Sequence, residues 1–214
     1  MAADGAVTVL VHGLWTHGWL MELQRRYLRQ EGFDAVCFSY PSVRFTLTEN
    51  ADGLARFARQ LAAPVVHWVG HSLGGLLILR MLERETSLKP GRIVLLGSPY
   101  VDAHSGRVLA RTRLGTRLLG RSVAEWLELA KPAGYPGRDI GVVAGTRSIG
   151  MGRLVSRNLP LPNDGAVALA ETHIAAARDR IDLPVSHTGM LFSRRIAHQT
   201  AAFLRDGRFD RAAA

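Results

Sequence analysis

The sequence contains a single cysteine, which excludes a framework of disulfide bonds. Cys37 lies in the apolar run Ala35-Val36-Cys37-Phe38, a setting typical of a buried thiol rather than a nucleophile. Cysteine and histidine nowhere have the spacing of a zinc site, so we expect no metal. No apolar stretch is long enough to span a bilayer, and the first residues lack a basic segment followed by an apolar one. We therefore expect a cytoplasmic protein.

Acidic residues are scarce too. The 18 Asp and Glu stand against 27 Lys and Arg, which gives a formal net charge of +9. Such a surplus favours anionic partners. The basic residues are nevertheless scattered, and no nucleic-acid-binding motif accompanies them, so we expect no nucleic acid partner.

Short apolar runs alternate with longer amphipathic stretches along the chain. This alternation predicts an α/β fold in which a mostly parallel sheet of about six strands is flanked by helices. The length of 214 residues and the hydrophobic content of 47% suit one domain over 1–214. The expected strands are Val7–Val11, Ala35–Ser39, Val65–Val69, Arg92–Leu96, Gly141–Ala144 and Ile181–Ser186. The expected helices are Trp19–Gln30, Asn50–Ala62, Leu73–Glu83, Val167–Arg178 and Met190–Leu204.

The longest insertion, residues 98–138, separates the fourth and fifth strands and is expected to form a small helical cap. Its arginines are interleaved with Leu109, Leu114, Leu118 and Leu119. One hypothesis is that the leucines cover a substrate pocket while the arginines contact an anionic membrane surface. The alternative is a solvated basic helix.

The strongest chemical signal is the segment Gly70-His71-Ser72-Leu73-Gly74, which joins a predicted strand directly to a predicted helix. A serine on such a sharp turn needs small neighbours, and the turn lifts its hydroxyl above the sheet. Ser72 is therefore the candidate nucleophile. The backbone N–H of Leu73, at the helix N-terminus, is a candidate donor to an oxyanion.

A second oxyanion donor is expected from a loop that faces the nucleophile. The segment His12-Gly13-Leu14 follows the first strand, and it offers the backbone N–H of Leu14 for this role. His-Gly alone is a common turn, so the hypothesis depends on its position after a strand.

A serine nucleophile also needs an acid and a histidine, and with a serine on this kind of strand-to-helix turn they are expected to follow it in that order along the chain. Asn163-Asp164-Gly165 is a turn-forming segment after the fifth strand and supplies Asp164 as the acid. His187 follows the sixth strand, at the carboxyl edge of the sheet where open α/β sheets place their sites. The other acids considered are Asp139, Asp179 and Asp182, and the other histidines are His71, His104, His173 and His198.

These segments, together with Gly75, Ala166-Val167 and Thr188-Gly189-Met190-Leu191, resemble bacterial α/β-hydrolases of the lipase and esterase type over nearly the whole chain. The resemblance implies the α/β-hydrolase fold, the triad Ser72, Asp164 and His187, and oxyanion donors at Leu14 and Leu73. There is no secretion signal, no second cysteine and no calcium-loop cluster of carboxylates. An intracellular esterase therefore fits better than a secreted lipase.

The expected activity is hydrolysis of small acyl esters through an acyl-enzyme intermediate, without a cofactor. A thioesterase, an acyltransferase or a perhydrolase would use the same triad. A non-catalytic binding protein with the same fold is a further alternative, because fold does not imply reaction.

Overall fold

The computed structural model describes residues 5–132, 134–150 and 159–213. Its strands are β1 (Val7–Val11), β2 (Asp34–Phe38), β3 (Val66–His71), β4 (Ile93–Leu96), β5 (Ile140–Gly145) and β6 (Asp179–Leu183). They form one six-stranded sheet in the order β2-β1-β3-β4-β5-β6, and every neighbouring pair is parallel. The predicted fold class is confirmed.

Six α-helices occur in the described residues. They are α1 (Glu22–Gln30), α2 (Leu47–Gln60), α3 (Leu73–Arg84), α4 (His104–Ala110), α5 (Arg113–Glu128) and α6 (Arg194–Asp206). Short 3-10 turns cover Gly18–Met21, Leu169–Thr172, Thr188–Leu191 and Arg211–Ala213. In the part of the chain that the structure describes, no helix combines the length and the apolar character needed to cross a membrane.

Helices cover both faces of the sheet, because side chains alternate along each strand. In β1, Val9 and Val11 join one apolar cluster with buried residues of α2 and α3. Leu10, between them in sequence, joins the other cluster with residues of α1 and α6. The strands are therefore buried on both sides, and the sheet forms the middle of three layers.

Three of the predicted elements differ markedly from the structure. The predicted helix Val167–Arg178 is only the short turn Leu169–Thr172, because the backbone is extended again at His173, with φ −71° and ψ 128°. The predicted helix Met190–Leu204 is split at Ser193, whose hydroxyl accepts the N–H of Ile196 and caps α6. The last strand ends at Leu183, because the next residue is a proline without an N–H.

The insertion between β4 and β5 carries α4 and α5. Helix α5 is interrupted at Gly120, which has a φ of 70°. Beyond this kink Trp126 is buried in the core. Before it, Leu119 is buried, whereas Leu114 and Leu118 point to solvent with 69% and 46% of their surface exposed. Leu114 and Leu118 therefore do not share the buried side of Leu119, and the hypothesis that the leucines cover a substrate pocket stays a prediction.

We expect Phe203→Ala to lower the free energy of unfolding by about 3–5 kcal/mol, because it empties a fully buried site. The Phe203 ring packs 5.0 Å from the ring of Phe209 between α6 and the sheet. The measurement is urea unfolding followed by circular dichroism. Phe192→Ala is the matched control, since half of Phe192 is exposed. Equal losses in the two variants would contradict the described core.

Candidate active site

The residues of the site follow four different strands. Gly13 comes after β1, Ser72 after β3, Gly97 after β4 and His187 after β6. Because all the strands are parallel, these positions lie at the carboxyl edge of the sheet. Asp164 reaches the same edge from the long connection between β5 and β6.

Ser72 has backbone angles that a residue with a side chain rarely adopts, with φ 54° and ψ −122°. It connects the last residue of β3 to the first residue of α3, and its N–H donates to the carbonyl of Leu96 at 2.9 Å. Its hydroxyl does not cap the helix. The hydroxyl is therefore presented at a helix N-terminus by a strained turn, the geometry that a nucleophile on such a fold requires.

The turn depends on the absence of a side chain at Gly70. A Cβ atom there would lie 2.4 Å from Gly75 Cα, on the first turn of α3. The helix backbone thus approaches the strand that leads into it more closely than any larger residue would permit.

Asp164 and His187 form a buried pair. Asp164 Oδ2 lies 2.7 Å from His187 Nδ1, and the Asp164 carbonyl accepts the backbone N–H of His187 at 2.8 Å. The other carboxylate oxygen accepts the N–H groups of Ala166 and Val167 at 2.9 and 2.8 Å. The carboxylate is 1% exposed. The Asp164 carboxylate is therefore fixed by the imidazole of His187 and by the backbone N–H groups of Ala166 and Val167.

These contacts decide the charge of Asp164. Burial opposes ionisation, but the neighbouring His187 and the two backbone N–H groups outweigh it and hold the pKa of Asp164 below its ordinary value. The carboxylate is consequently ionised at neutral pH. An ionised acceptor at Nδ1 fixes the imidazole with its proton on Nδ1 and leaves Nε2 as the basic atom.

Gly97 allows the pair to approach the sheet. It has a φ of 59°, and a Cβ atom there would lie 3.0 Å from Asp164 Oδ2 and 3.1 Å from His187 Nδ1. Its N–H donates to the carbonyl of Val143 on the neighbouring strand. The pair therefore rests directly on the end of β4.

The other acids considered from the sequence have different partners. Asp182 is exposed and pairs with Arg180 at 2.9 Å. Asp179 begins β6 at the opposite edge of the sheet and pairs with Arg211, while Asp139 pairs with Arg92 and Arg178. Of these four carboxylates, Asp164 is the one that the structure brings to His187.

Of the other histidines considered from the sequence, His71 is the one with a described contact to this pair. His173 is exposed, His104 begins α4, and His198 lies between Glu31 and Asp210. His71, by contrast, is buried, and its ring centroid is 4.6 Å from that of His187. Burial lowers the pKa of His71 to about 3, so its ring is neutral. Its Nε2 faces the carbonyl of His187 at 3.0 Å and therefore donates the hydrogen bond.

A second buried histidine supports the loop after β1. Burial lowers the pKa of His12, and the neutral ring faces the Gly13 carbonyl through Nδ1 and accepts the N–H of Tyr40 through Nε2. A Cβ atom at Gly13 would lie 3.2 Å from Ser72 Cβ. The loop therefore abuts the serine turn, and Leu14 follows directly. Within the described residues, neither the N–H of Leu14 nor that of Leu73 donates to a protein acceptor.

Sequence reasoning missed the positions of His12 and His71 as supports. His12 precedes the candidate oxyanion donor Leu14 by two residues, and His71 directly precedes Ser72. Their spacing does not indicate that either ring is buried and neutral. Their polarity in apolar strand context was the available signal. Over the described ranges, no group of three or more histidine, cysteine, aspartate or glutamate residues has the arrangement of a metal site.

The family profile described as "Alpha/beta hydrolase family" matches residues 8–210 of the chain. No match was found among curated proteins. Among solved structures, a RedJ thioesterase of prodiginine biosynthesis in Streptomyces coelicolor aligns with a TM-score of 0.62 at 16% identity, over 94% of this chain and 86% of that chain. The metagenomic carboxyl esterase MGS0156 aligns with a TM-score of 0.65 at 16% sequence identity, over 87% of this chain and 66% of the esterase. The type II thioesterase BorB of borrelidin biosynthesis aligns with a TM-score of 0.63 at 15% sequence identity, over 96% of this chain and 94% of BorB.

We expect Gly70→Ala to lower the free energy of unfolding by about 1–3 kcal/mol, because the added methyl group meets the backbone of α3. Urea unfolding measures the change. Gly53→Ala is the matched control: this glycine lies inside α2, where a Cβ atom meets only the end of the Arg56 side chain at 3.7 Å. The control should gain up to about 1 kcal/mol from helix propensity. A neutral effect at Gly70 would refute the described close approach.

Proposed function

Because the chain belongs to the alpha/beta hydrolase family, we propose that it is a serine hydrolase that cleaves carboxylic acyl esters through Ser72, His187 and Asp164. One observation carries the proposal: a serine on a strained strand-to-helix turn lies at the same sheet edge as a buried, hydrogen-bonded aspartate and histidine. A binding protein needs neither the strain at the serine nor an ionised carboxylate behind a histidine.

In the proposed mechanism, His187 Nε2 takes the proton of the Ser72 hydroxyl as the oxygen attacks the ester carbonyl. Asp164 keeps the Nδ1 proton in place and stabilises the imidazolium that forms. The imidazolium then protonates the leaving alcohol as the carbon–oxygen bond breaks and the acyl-enzyme remains. Water, deprotonated by His187, attacks this intermediate and releases the carboxylic acid and the free serine.

The developing oxyanion needs fixed donors, and the proposal assigns this role to the backbone N–H groups of Leu14 and Leu73. Leu73 supports the assignment because it is the first residue of α3, where the helix leaves N–H groups without carbonyl partners. Leu14 supports it because the preceding glycine packs against Ser72. Backbone donors keep their position when charge develops, so they stabilise the transition state without reorganisation.

Thioester hydrolysis is a second candidate, because two structurally similar proteins are named as thioesterases. The same residues would act in the same order, with a thiol as leaving group. Steady-state kinetics on an oxygen ester and a thioester with the same acyl chain distinguish the two. A kcat/KM for the thioester at least about tenfold higher would assign it as the preferred class.

We expect Ser72→Ala to abolish labelling by a fluorophosphonate probe and to lower ester hydrolysis to near background, because the variant lacks the attacking oxygen. Gel fluorescence and mass spectrometry of the labelled peptide measure this. Ser98→Ala is the matched control, since the Ser98 hydroxyl is buried without a hydrogen-bond partner within the described residues. Labelling that persists in Ser72→Ala would refute the assignment of the nucleophile.

We expect Asp164→Asn to lower kcat by roughly 100-fold or more, because the amide no longer stabilises the imidazolium; the equivalent change in a serine protease costs about 10⁴. The measurement is ester hydrolysis at fixed neutral pH, with circular dichroism to verify folding. Asp182→Asn, which removes an exposed carboxylate paired with Arg180, is the control and should retain its rate. A slow Asp182→Asn with a near-normal Asp164→Asn would reverse the assignment.

A further inference from the structure

Nine large hydrophobic side chains are exposed in the part of the chain that the structure describes. They all belong to segments that follow the carboxyl ends of strands: Trp15, Trp19, Phe45, Val101, Leu114, Leu118, Ile149, Leu161 and Phe192. Each of these segments starts at the carboxyl edge of the parallel sheet, so a residue such as Trp15, shortly after β1, lies near that edge. Single exposed apolar residues need no explanation, but a group of them that lies together marks an interaction surface.

The first half of α5 contributes two of these side chains. Leu114 and Leu118 are four residues apart, so they stand on one side of the helix, and both point to solvent. Trp15 joins them from the loop after β1, since its indole N–H donates to the Leu118 carbonyl at 2.7 Å. The Trp15 side chain itself is 53% exposed. These three residues form an apolar ridge beside the candidate active site.

Unpaired positive charge surrounds the apolar ridge. Residues 103–124 contain no aspartate or glutamate. Arg107 and Arg121 form ion pairs with Asp102 and Glu49. By contrast, Arg113 and Arg117 are exposed, and no carboxylate of the described residues lies within 4.0 Å of either guanidinium. Their charge is available to an external anion.

We propose that this edge of the protein docks on the surface of an anionic lipid bilayer, with the apolar ridge entering the headgroup region and Arg113 and Arg117 contacting lipid phosphates. Leucines and an indole that protrude singly need an apolar medium to enter, and a bilayer supplies it together with negative charge. Long arginine side chains place their charge at headgroup level while their stems cover apolar surface. An acidic protein surface would match the charge but leave the protruding leucines in water.

Docking in this orientation would turn the carboxyl edge of the sheet, with Ser72, toward the lipid. The inference goes beyond the proposed function and does not depend on it. Vesicle binding needs no turnover and is measured on the intact Ser72→Ala protein as well, so a failure of the proposed hydrolysis and a failure of docking are distinguishable.

The test is co-sedimentation with vesicles of phosphatidylcholine and phosphatidylglycerol, against vesicles of phosphatidylcholine alone. We expect binding to the anionic vesicles, weakening as added salt shortens the Debye length from about 10 Å at 0.1 M to about 3 Å at 1 M. Arg113→Gln with Arg117→Gln should reduce the binding constant by on the order of 30-fold, from the attraction of two arginines to an anionic surface.

The matched control is Arg56→Gln with Arg208→Gln, which removes two exposed arginines that likewise have no ion pair in the described chain. Arg56 lies within α2, and Arg208 follows α6 near Arg92 and Arg178 at the opposite sheet edge. This pair should bind as the wild type does. Circular dichroism and thermal unfolding verify that both variants are folded.

Leu114→Gln with Leu118→Gln separates a bilayer from an acidic protein. We expect this variant to lose vesicle binding while its retention on immobilised polyglutamate stays that of the wild type. The proposal is overturned if the wild type ignores anionic vesicles, if neutral vesicles bind equally, if both arginine pairs have the same effect, or if the leucine pair leaves vesicle binding unchanged.

Discussion

The strained backbone at Ser72 is held by its neighbours, and the geometry of the whole carboxyl edge depends on it. Gly70 lets the first turn of α3 approach β3, and the carbonyl of Leu96 accepts the Ser72 N–H from the adjacent strand. The loop after β1 then packs against the serine turn. Because the strain is shared among three strands of one rigid sheet, the hydroxyl is presented without a flexible loop beneath it.

Two buried histidines extend this rigidity to the loops. His71, one residue before the serine, donates to the backbone of His187, and His12 faces the backbone of the loop that precedes Leu14. Both rings are neutral because burial lowers the pKa of each. A neutral imidazole offers one donor and one acceptor without the cost of a buried charge, so it can join two backbone segments inside an apolar core.

Much of the fold could be predicted from the sequence, because strands buried on both faces are continuous apolar runs and β1 matches its prediction residue for residue. The position of Ser72 could also be predicted from the sequence, because the glycines on either side of it indicate a tight backbone turn. The contact between Asp164 and His187 is harder to predict, because it joins residues 23 apart in the sequence. Among four candidate carboxylates, only the turn-forming residues around Asp164 favour it. The predicted helix over Val167–Arg178 is wrong, because the backbone is extended at His173, which the apolar periodicity of the segment does not indicate.

The kink at Gly120 divides α5 into one half that is mostly exposed and one half that packs in the core. The half after the kink is anchored by Trp126 in the core, whereas the half before it exposes Leu114, Leu118 and several arginines. Sequence changes at the exposed positions before the kink therefore carry little folding cost, whereas changes at buried Leu119 or at Trp126 carry a large one. The side chains displayed beside the candidate active site can diverge during evolution, or be exchanged by engineering, while the sheet and helices that hold the site stay unchanged.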